Sequence, residues 1–415
     1  MTEQEQLDFW TQLLRLDGFR VAHVCHDTPS DPVRLTVIPN TPLGLCPHCR
    51  RACDTIHRRR ESDPVRDLPL GPQPVELIVR TYQYTCPHCG RFFTPAAPVL
   101  APGAHATERF LEQAARLIRF SDIANAAAFL GVPEKTLEKW YYDYVERQRQ
   151  APPTPGGPIQ QLGIDELKLT HGSGQFVAVI VDHTHERVLE VLKNRSKETV
   201  RDYLQQNRDS GLLAEVIEVT TDMWDGYVEA AREALGEQVR ITIDRFHVMK
   251  NFQDHLTAAR REIQRQLPKE EAKALKGTRW LWLTNQENLS VDERAELAAL
   301  GKRLPLLQQL REQRDKLRDL FEDATIHTAA AGARRLRVWM QEARQLGLKA
   351  LETFGKTLEN WLDKIANYFV DRASNGRVEG FNTGLRGILW RAFGMFNFAH
   401  FRLRVLDRFG RPKLC

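Results

Sequence analysis

The chain has 415 residues, 42% hydrophobic and 27% charged. That is the mix of an ordinary globular protein and excludes a disordered, collagenous or membrane-embedded chain. At about 150 residues per domain the length corresponds to about three domains. Apolar runs such as residues 176–181 fall far short of the ~20 residues a membrane helix needs. The acidic start MTEQEQLDFW has no apolar segment of the signal-peptide type, so a cytoplasmic protein is expected. The net charge is only +5, yet residues 372–415 hold nine Lys/Arg against two Asp/Glu. Such a concentration suits a polyanion, usually nucleic acid; a solvated basic tail is the alternative.

Residues 3–14 read as a short helix, and residues 19–26 and 33–38 as strands. Of seven cysteines (Cys25, Cys46, Cys49, Cys53, Cys86, Cys89 and Cys415), four lie in two copies of Cys-Pro-His-Cys, at 46–49 and 86–89. A C-x-x-C turn sets two thiolates on one side of the backbone, and two such knuckles complete a tetrahedral zinc site. The 36 intervening residues leave room for strands, and residues 77–84 are rich in β-formers. Residues 1–100 are therefore expected to be a zinc-ribbon domain holding one structural Zn²⁺ on Cys46, Cys49, Cys86 and Cys89. Cys53 and His57 are alternative donors without a counterpart in the second knuckle. His48 and His88 read as exposed turn residues. Arg50, Arg51 and the run Arg58, Arg59, Arg60 either touch phosphate or line a solvated loop.

From Thr107 the pattern turns helical: 107–120, then 121–130 capped by Ser121-Asp122, then 134–149 after the Gly131-Val132 turn and Pro133. Helix, short glycine turn, helix is the outline of a helix-turn-helix, with a plain helical hairpin as the alternative. Residues 101–150 would form this DNA-binding domain, with Lys135, Thr136 and Lys139 near a major groove. Residues 151–158, with four prolines and two glycines, are the linker that follows.

Next come three strands (159–170, 175–181, 187–192) with turns at Gly172, Gly174 and 182–186. Then follow a helix (196–206), a strand (215–222), a helix (225–235) and a strand (239–244). Three strands in meander, then helix-strand-helix-strand, describe a mixed α/β sheet of the ribonuclease-H type. Residues 246–369 are almost wholly helical, with Trp280, Trp282, Trp339 and Trp361 expected in their core. The expected division is a core of 159–249, a helical insertion of 250–368, and a last core part of 369–415.

Two strands carry aspartates, Asp165 in Leu-Gly-Ile-Asp-Glu and Asp222 in Thr-Thr-Asp-Met-Trp. In this topology the two strands are neighbours. An aspartate on a buried strand is costly unless paired or bound to metal. A third acid, Glu379, lies in Ser-Asn-Gly-Arg-Val-Glu-Gly-Phe-Asn, where Asn375 can cap a helix. Glu379 then shares a helix face with Asn382 and Arg386. Three such acids suit phosphoryl transfer with two Mg²⁺ (or Mn²⁺) ions, and basic or amide groups beside them would hold the DNA backbone. Asp244 and His247 are expected to support the site from just outside it. His183 and His185 are expected to face solvent.

These motifs, with Asp-Arg-Phe-His-Val at 244–248 and Phe-Gly-Met-Phe-Asn-Phe-Ala-His-Phe at 393–401, resemble the DDE transposases of bacterial insertion sequences, the ISL-three family. The resemblance covers nearly the whole chain. It implies a ribonuclease-H-like core split by a helical insertion before its final acid, with Asp165, Asp222 and Glu379 as catalytic acids. Arg386 stands where members commonly have Lys and keeps the charge. The implied protein is a multidomain α/β enzyme that binds terminal inverted repeats, cleaves DNA and joins the freed end to target DNA. It would work in the bacterial cytoplasm at the nucleoid, as a homodimer or larger assembly, with no membrane partner. Candidate DNA contacts are Lys135, Thr136, Lys139, Arg58, Arg59, Arg60, Asn382, Arg386, Arg402 and Arg404. The rivals are a sequence-specific DNA-binding regulator on a non-catalytic scaffold and a nuclease without strand transfer.

Overall fold

The computed structural model describes residues 2–25, 31–150, 157–169, 176–372, 376–392 and 397–411, with the side chains of 376–379 excepted. The expected linker residues 151–156, the Gly172 and Gly174 turn, the Asn375 cap, residues 393–396 and Cys415 lie outside the described residues. The chain divides into two compact units. One is Met1–Thr154 with Trp390–Asp407, the other Pro155–Leu389 with Arg408–Cys415.

The first unit begins with α1 (Glu3–Leu14), started by a capping box between Thr2 and Glu5. Eight strands follow: β1 (Phe19–Cys25), β2 (Val33–Pro39), β3 (Gly44–Leu45), β4 (Ala52–Cys53), β5 (Ile56–Glu61), β6 (Val65–Leu70), β7 (Gln73–Thr85) and β8 (Phe92–Phe93). The order β1-β2-β7-β5 makes β7 the spine, with β6 and β8 also pairing to it. Val75, Leu77 and Val79 alternate inward along β7 and meet Leu35 and Val37 in a buried layer.

Three helices complete this unit's N-terminal part: α2 (Glu108–Phe120), α3 (Ile123–Leu130) and α4 (Glu134–Gln150). Thr107 caps α2 and Asp122 caps α3, each accepting a backbone N–H. Gly131, with φ of 62°, ends α3 in the left-handed conformation that glycine adopts without strain. Phe110, Leu111, Ala127, Leu130, Leu137 and Trp140 share one core. Buried Asp67 of β6 ties these helices to the sheet, accepting from Thr107 Oγ1 and Arg109 Nε, both at 2.7 Å.

The second unit is built on β9 (Gln161–Lys168), β10 (Phe176–Asp182), β11 (Arg187–Leu192), β12 (Glu218–Thr221) and β13 (Arg240–Ile243), in the order β11-β10-β9-β12-β13. The first three are antiparallel; β12 is parallel to both β9 and β13. Helices α5 (Lys197–Asp209) and α6 (Asp225–Leu235) make the crossovers. Val177–Val181 of β10 are fully buried, as expected of a strand covered on both faces. The turn after β10 does not face solvent as expected. His183 is buried, its Nε2 2.9 Å from Thr220 Oγ1, and His185 Nδ1 lies 2.7 Å from Asp182 Oδ2.

Among the described residues, nine α-helices lie between β13 and Arg372: α7 (Arg245–Gln266), α8 (Lys269–Ala274), α9 (Arg279–Leu283), α10 (Val291–Arg303), α11 (Pro305–Glu322), α12 (Ala329–Arg344), α13 (Lys349–Asn360), α14 (Leu362–Ala366) and α15 (Tyr368–Asp371). Phe252, Trp282, Phe321, Trp339, Phe354 and Phe369 fill their core, with Trp361 packed at its margin. Trp280 is the exception to expectation: it is 66% exposed, with the Arg279 guanidinium 5.1 Å from its ring. On the five-residue α9, Trp280 and Trp282 cannot share one face. The chain closes with α16 (Gly376–Arg391) and α17 (Phe398–Phe409). Among the described residues no helix is long and apolar enough to cross a membrane.

Candidate functional site

Strand register brings the aspartates together. In the parallel β9–β12 ladder Glu218 lies opposite Gln161 and Thr220 opposite Gly163. Carried two residues further, that register sets Asp222 opposite Asp165. In the β12–β13 ladder Thr221 lies opposite Ile243, which sets Asp244 beside Asp222. Asp165, inside β9, and Asp222 and Asp244, each one residue past its strand, thus neighbour one another at the C-terminal ends of β12 and β13.

Asp165 is buried and held at both oxygens. Oδ1 accepts from the Glu166 N–H and Oδ2 from Asn382 Nδ2, each at 2.7 Å. Asn382 belongs to α16, so this bond carries that helix to the sheet. Glu379 precedes Asn382 by three residues on the same helix; its side chain lies outside the described residues. His247 of α7 sets Nε2 3.7 Å from Asp165 Oδ1. Asp244 is buried and caps α7, accepting from the Phe246 N–H at 3.2 Å.

Burial pushes the Asp165 carboxyl up to about 6, reinforced by the negative charges of Asp244 and Glu166. Asp222 is likewise raised to about 6 by burial and by Asp165 and Glu166, against the opposing pull of His247. Asn382 Oδ1 is buried and has no hydrogen-bond partner. Carboxylates and an orphaned amide oxygen are hard-oxygen donors, the chemistry that suits a divalent cation.

In the first unit, the four knuckle thiols gather within 4.8 Å of one another. Cys46 and Cys89 sulfurs are 3.7 Å apart, Cys49 and Cys86 sulfurs 3.5 Å. Zn–S bonds of ~2.3 Å imply a tetrahedron edge of ~3.8 Å, so the spacing fits zinc and is far too long for a disulfide. The knuckles mirror each other. Cys46 N–H donates to Arg51 O and Cys86 N–H to Arg91 O, both at 2.9 Å, and Arg50 and Gly90 take the same left-handed turn position. Burial opposes ionisation of Cys86, but the backbone N–H groups of His88 and Cys89 hold its thiol down at about 6. His48 and His88 are not ligands; they meet Arg91 and Arg51 across the knuckles at 3.1 and 3.2 Å. Cys53 is buried but directs its thiol to Arg51 O, outside the four.

Residues 162–405 match the family described as "Transposase", the DDE transposases of ISL-three type. The chain belongs to that family. Residues 42–89 match the "zinc-finger of transposase IS204/IS1001/IS1096/IS1165". The chain is similar to the transposase for insertion sequence element IS1001 of Bordetella parapertussis, 28% identical over 94% of this chain and 95% of the relative. It is also similar to the transposase for IS1557 of Mycobacterium tuberculosis, 24% identical over 57% of each chain. Among solved structures it is similar to the Drosophila P element transposase strand transfer complex, with 10% identity and a TM-score of 0.39 over 72% of this chain and 92% of that one.

The protein is therefore a DNA transposase, a DNA-cleaving and strand-transferring enzyme with an N-terminal zinc ribbon and an α/β core. Several candidate DNA contacts stand on its surface. Arg58, Arg59 and Arg60 are exposed along β5, Lys135 and Lys139 are exposed on α4 with Thr136 half-buried between them, and Arg386 is exposed on α16. Two others do not. Asn382 is buried on Asp165, and Arg404 is buried with its guanidinium donating to Ser121 O at 3.3 Å. The Arg404 guanidinium is spent on backbone carbonyls inside the protein, and the Asn382 Nδ2 group is spent on Asp165, so neither stands free as a surface contact to the DNA backbone. Arg402 is half-buried on α17. Glu166 escaped the sequence reading although its charge acts on both aspartates. Its place directly after Asp165 was the available signal.

Proposed function

We propose that the transposase cuts and rejoins DNA at a ribonuclease-H-like site made by Asp165, Asp222 and Glu379, with Asp244 and His247 supporting it. The observation that carries this reading is the Asn382–Asp165 hydrogen bond. It joins α16, which bears Glu379 one turn earlier, to the strand pair that bears Asp165 and Asp222. Two Mg²⁺ ions held by these acids would supply an activated attacking oxygen and charge neutralisation at the leaving oxygen. The protein's own part is to hold the acids. Glu166 N–H and Asn382 fix the Asp165 carboxylate, and His247 offsets part of the negative charge. The reaction frees a 3′-OH by hydrolysis and then joins it to target DNA.

In this reading α3, Gly131 and α4 form a helix-turn-helix that reads the terminal inverted repeats through Lys135, Thr136 and Lys139. The arginine run of β5, Arg386 and Arg402 contribute backbone contacts. The functional division is a zinc-ribbon domain (1–100), the helix-turn-helix (101–150), a linker (151–158), the core (159–249 and 369–415) and its helical insertion (250–368). Two ends must be held at once, so the working form is a dimer or larger, acting on DNA in the bacterial cytoplasm. The test is Glu379→Gln, which keeps shape and removes charge. It should bind end DNA normally and lose Mg²⁺-dependent cleavage and strand transfer. Near-normal cleavage would remove Glu379 from the site and leave Asp244 as the third acid.

A further inference from the structure

Two aromatic side chains stand exposed at the edge of the sheet that carries the acids. Trp224, just after β12, is 38% exposed, and Phe246, just after β13, is 42% exposed. Asp222 and Asp244 are matched by the β12–β13 register, and Trp224 and Phe246 each follow by two residues. Trp224, at the N-cap of α6, and Phe246, in the first turn of α7, each follow closely on an acid at the end of neighbouring strands: the Trp224 N–H donates to Asp222 O at 2.9 Å and the Phe246 N–H to Asp244 Oδ1 at 3.2 Å.

Trp224 is fixed. Its indole covers Gly226 so closely that a Cβ there would lie 2.5 Å from the ring. It also meets buried Tyr227 edge-on, with centroids 4.5 Å apart and planes at 87°. Phe246 meets His247 edge-on at 5.5 Å, and His247 itself reaches towards Asp165. Rigid apolar rings left in water beside a phosphate-handling site are what a nucleobase stacks on, and stacking tolerates any base.

We propose that Trp224, with Phe246 beside it, is a stacking platform for a nucleobase next to the phosphate being cut, taken out of the duplex. This rests on the carboxylate site described above. The occupant is set by continuity: a strand whose phosphate lies at Asp165 and Asp222 has its adjoining base at this edge. The recessed carboxylates favour a strand unstacked locally, since Asp165 is only 7% exposed. A base taken out of the helix needs a surface to replace its lost neighbours.

The test uses the full-length protein and end DNA that is either fully paired or mismatched beside the cut. Trp224→Ala should slow cleavage of paired DNA about ten- to a hundredfold, and the mismatch should restore most of that loss. Trp224→Phe should retain most activity, and Phe246→Ala should show a smaller, equally rescuable defect. 2-Aminopurine placed beside the cut should report unstacking with the wild type and not with Trp224→Ala. No loss on paired DNA, or equal loss on paired and mismatched DNA, overturns the platform. Asp222→Asn, run in parallel, separates the two claims. If it still cuts, the carboxylate site is wrong whatever Trp224 does; if it is dead on both DNAs, only the platform is at stake.

Discussion

Asp165 and Asp222 sit where an unpartnered charge is least welcome, and their carboxyls are both raised to about 6 by burial and by neighbouring negative charges. A folded-state value above the ordinary ~3.9 means that the folded chain binds more protons than the unfolded one between about pH 4 and 6. Their contribution to stability is therefore present at low pH and is lost as pH rises through 6. Asp222→Asn should make the metal-free protein more stable at pH 7.5, by on the order of 1 kcal/mol. The gain should vanish near pH 4, and Mg²⁺ should raise the melting temperature of the wild type more than that of the mutant. Thermal melts across that pH range, with and without Mg²⁺, are the check. A melting difference that does not change with pH would show that the carboxyl titrates alike in the folded and unfolded chain.

At the scale of single elements, the knuckles and α4 carry separable tasks. The zinc-ribbon segment has only a small core around Tyr84 and Phe93, so the metal supplies much of its folding energy. Metal analysis of the purified protein should give about one zinc per chain. Cys86→Ser should lose it and weaken end binding. Cys53→Ser should keep it, because Cys53 packs beside the four gathered thiols without being one of them. Loss of zinc from Cys53→Ser alone would redraw the ligand set. Lys135 and Thr136 head the helix assigned to sequence reading, whereas Arg58, Arg59 and Arg60 lie on an exposed strand. Changing the first pair to Ala should erode discrimination between end and random DNA. Changing the arginines should weaken binding to both alike and flatten its salt dependence. Competition binding at two salt concentrations distinguishes these outcomes.

Across the whole molecule, residues 390–407 group with the first unit although they follow the core in sequence. Buried Asp407 of α17 accepts from Arg119 at 2.7 and 2.9 Å and from the Tyr141 hydroxyl at 3.2 Å. Arg404 is spent on carbonyls of the same unit, and Leu403 enters the core of α2–α4. Much of the basic tail is thus a structural closure. Asp407→Ala strands a buried Arg119 charge and should destabilise the first unit by about 3–5 kcal/mol. Chemical denaturation followed by a probe in that unit measures it; an unchanged midpoint would mean the tail is dispensable there. What the sequence determined by itself was local or short in range. Duplicated CPHC turns, the helix cap at Asp122, the glycine turn at Gly131 and the succession of strands along the chain all follow from neighbouring residues. The aspartates were also legible, because a charge in an apolar strand is conspicuous. Tertiary structure decided the rest. Asn382 and Arg404 looked like phosphate contacts, yet Asn382 Nδ2 and the Arg404 guanidinium satisfy partners more than 200 residues away in the chain. Trp280 looked like core, yet its short helix turns it outward. Burial and partnership depend on which distant surface arrives, and no pattern confined to one helix or strand carries that information.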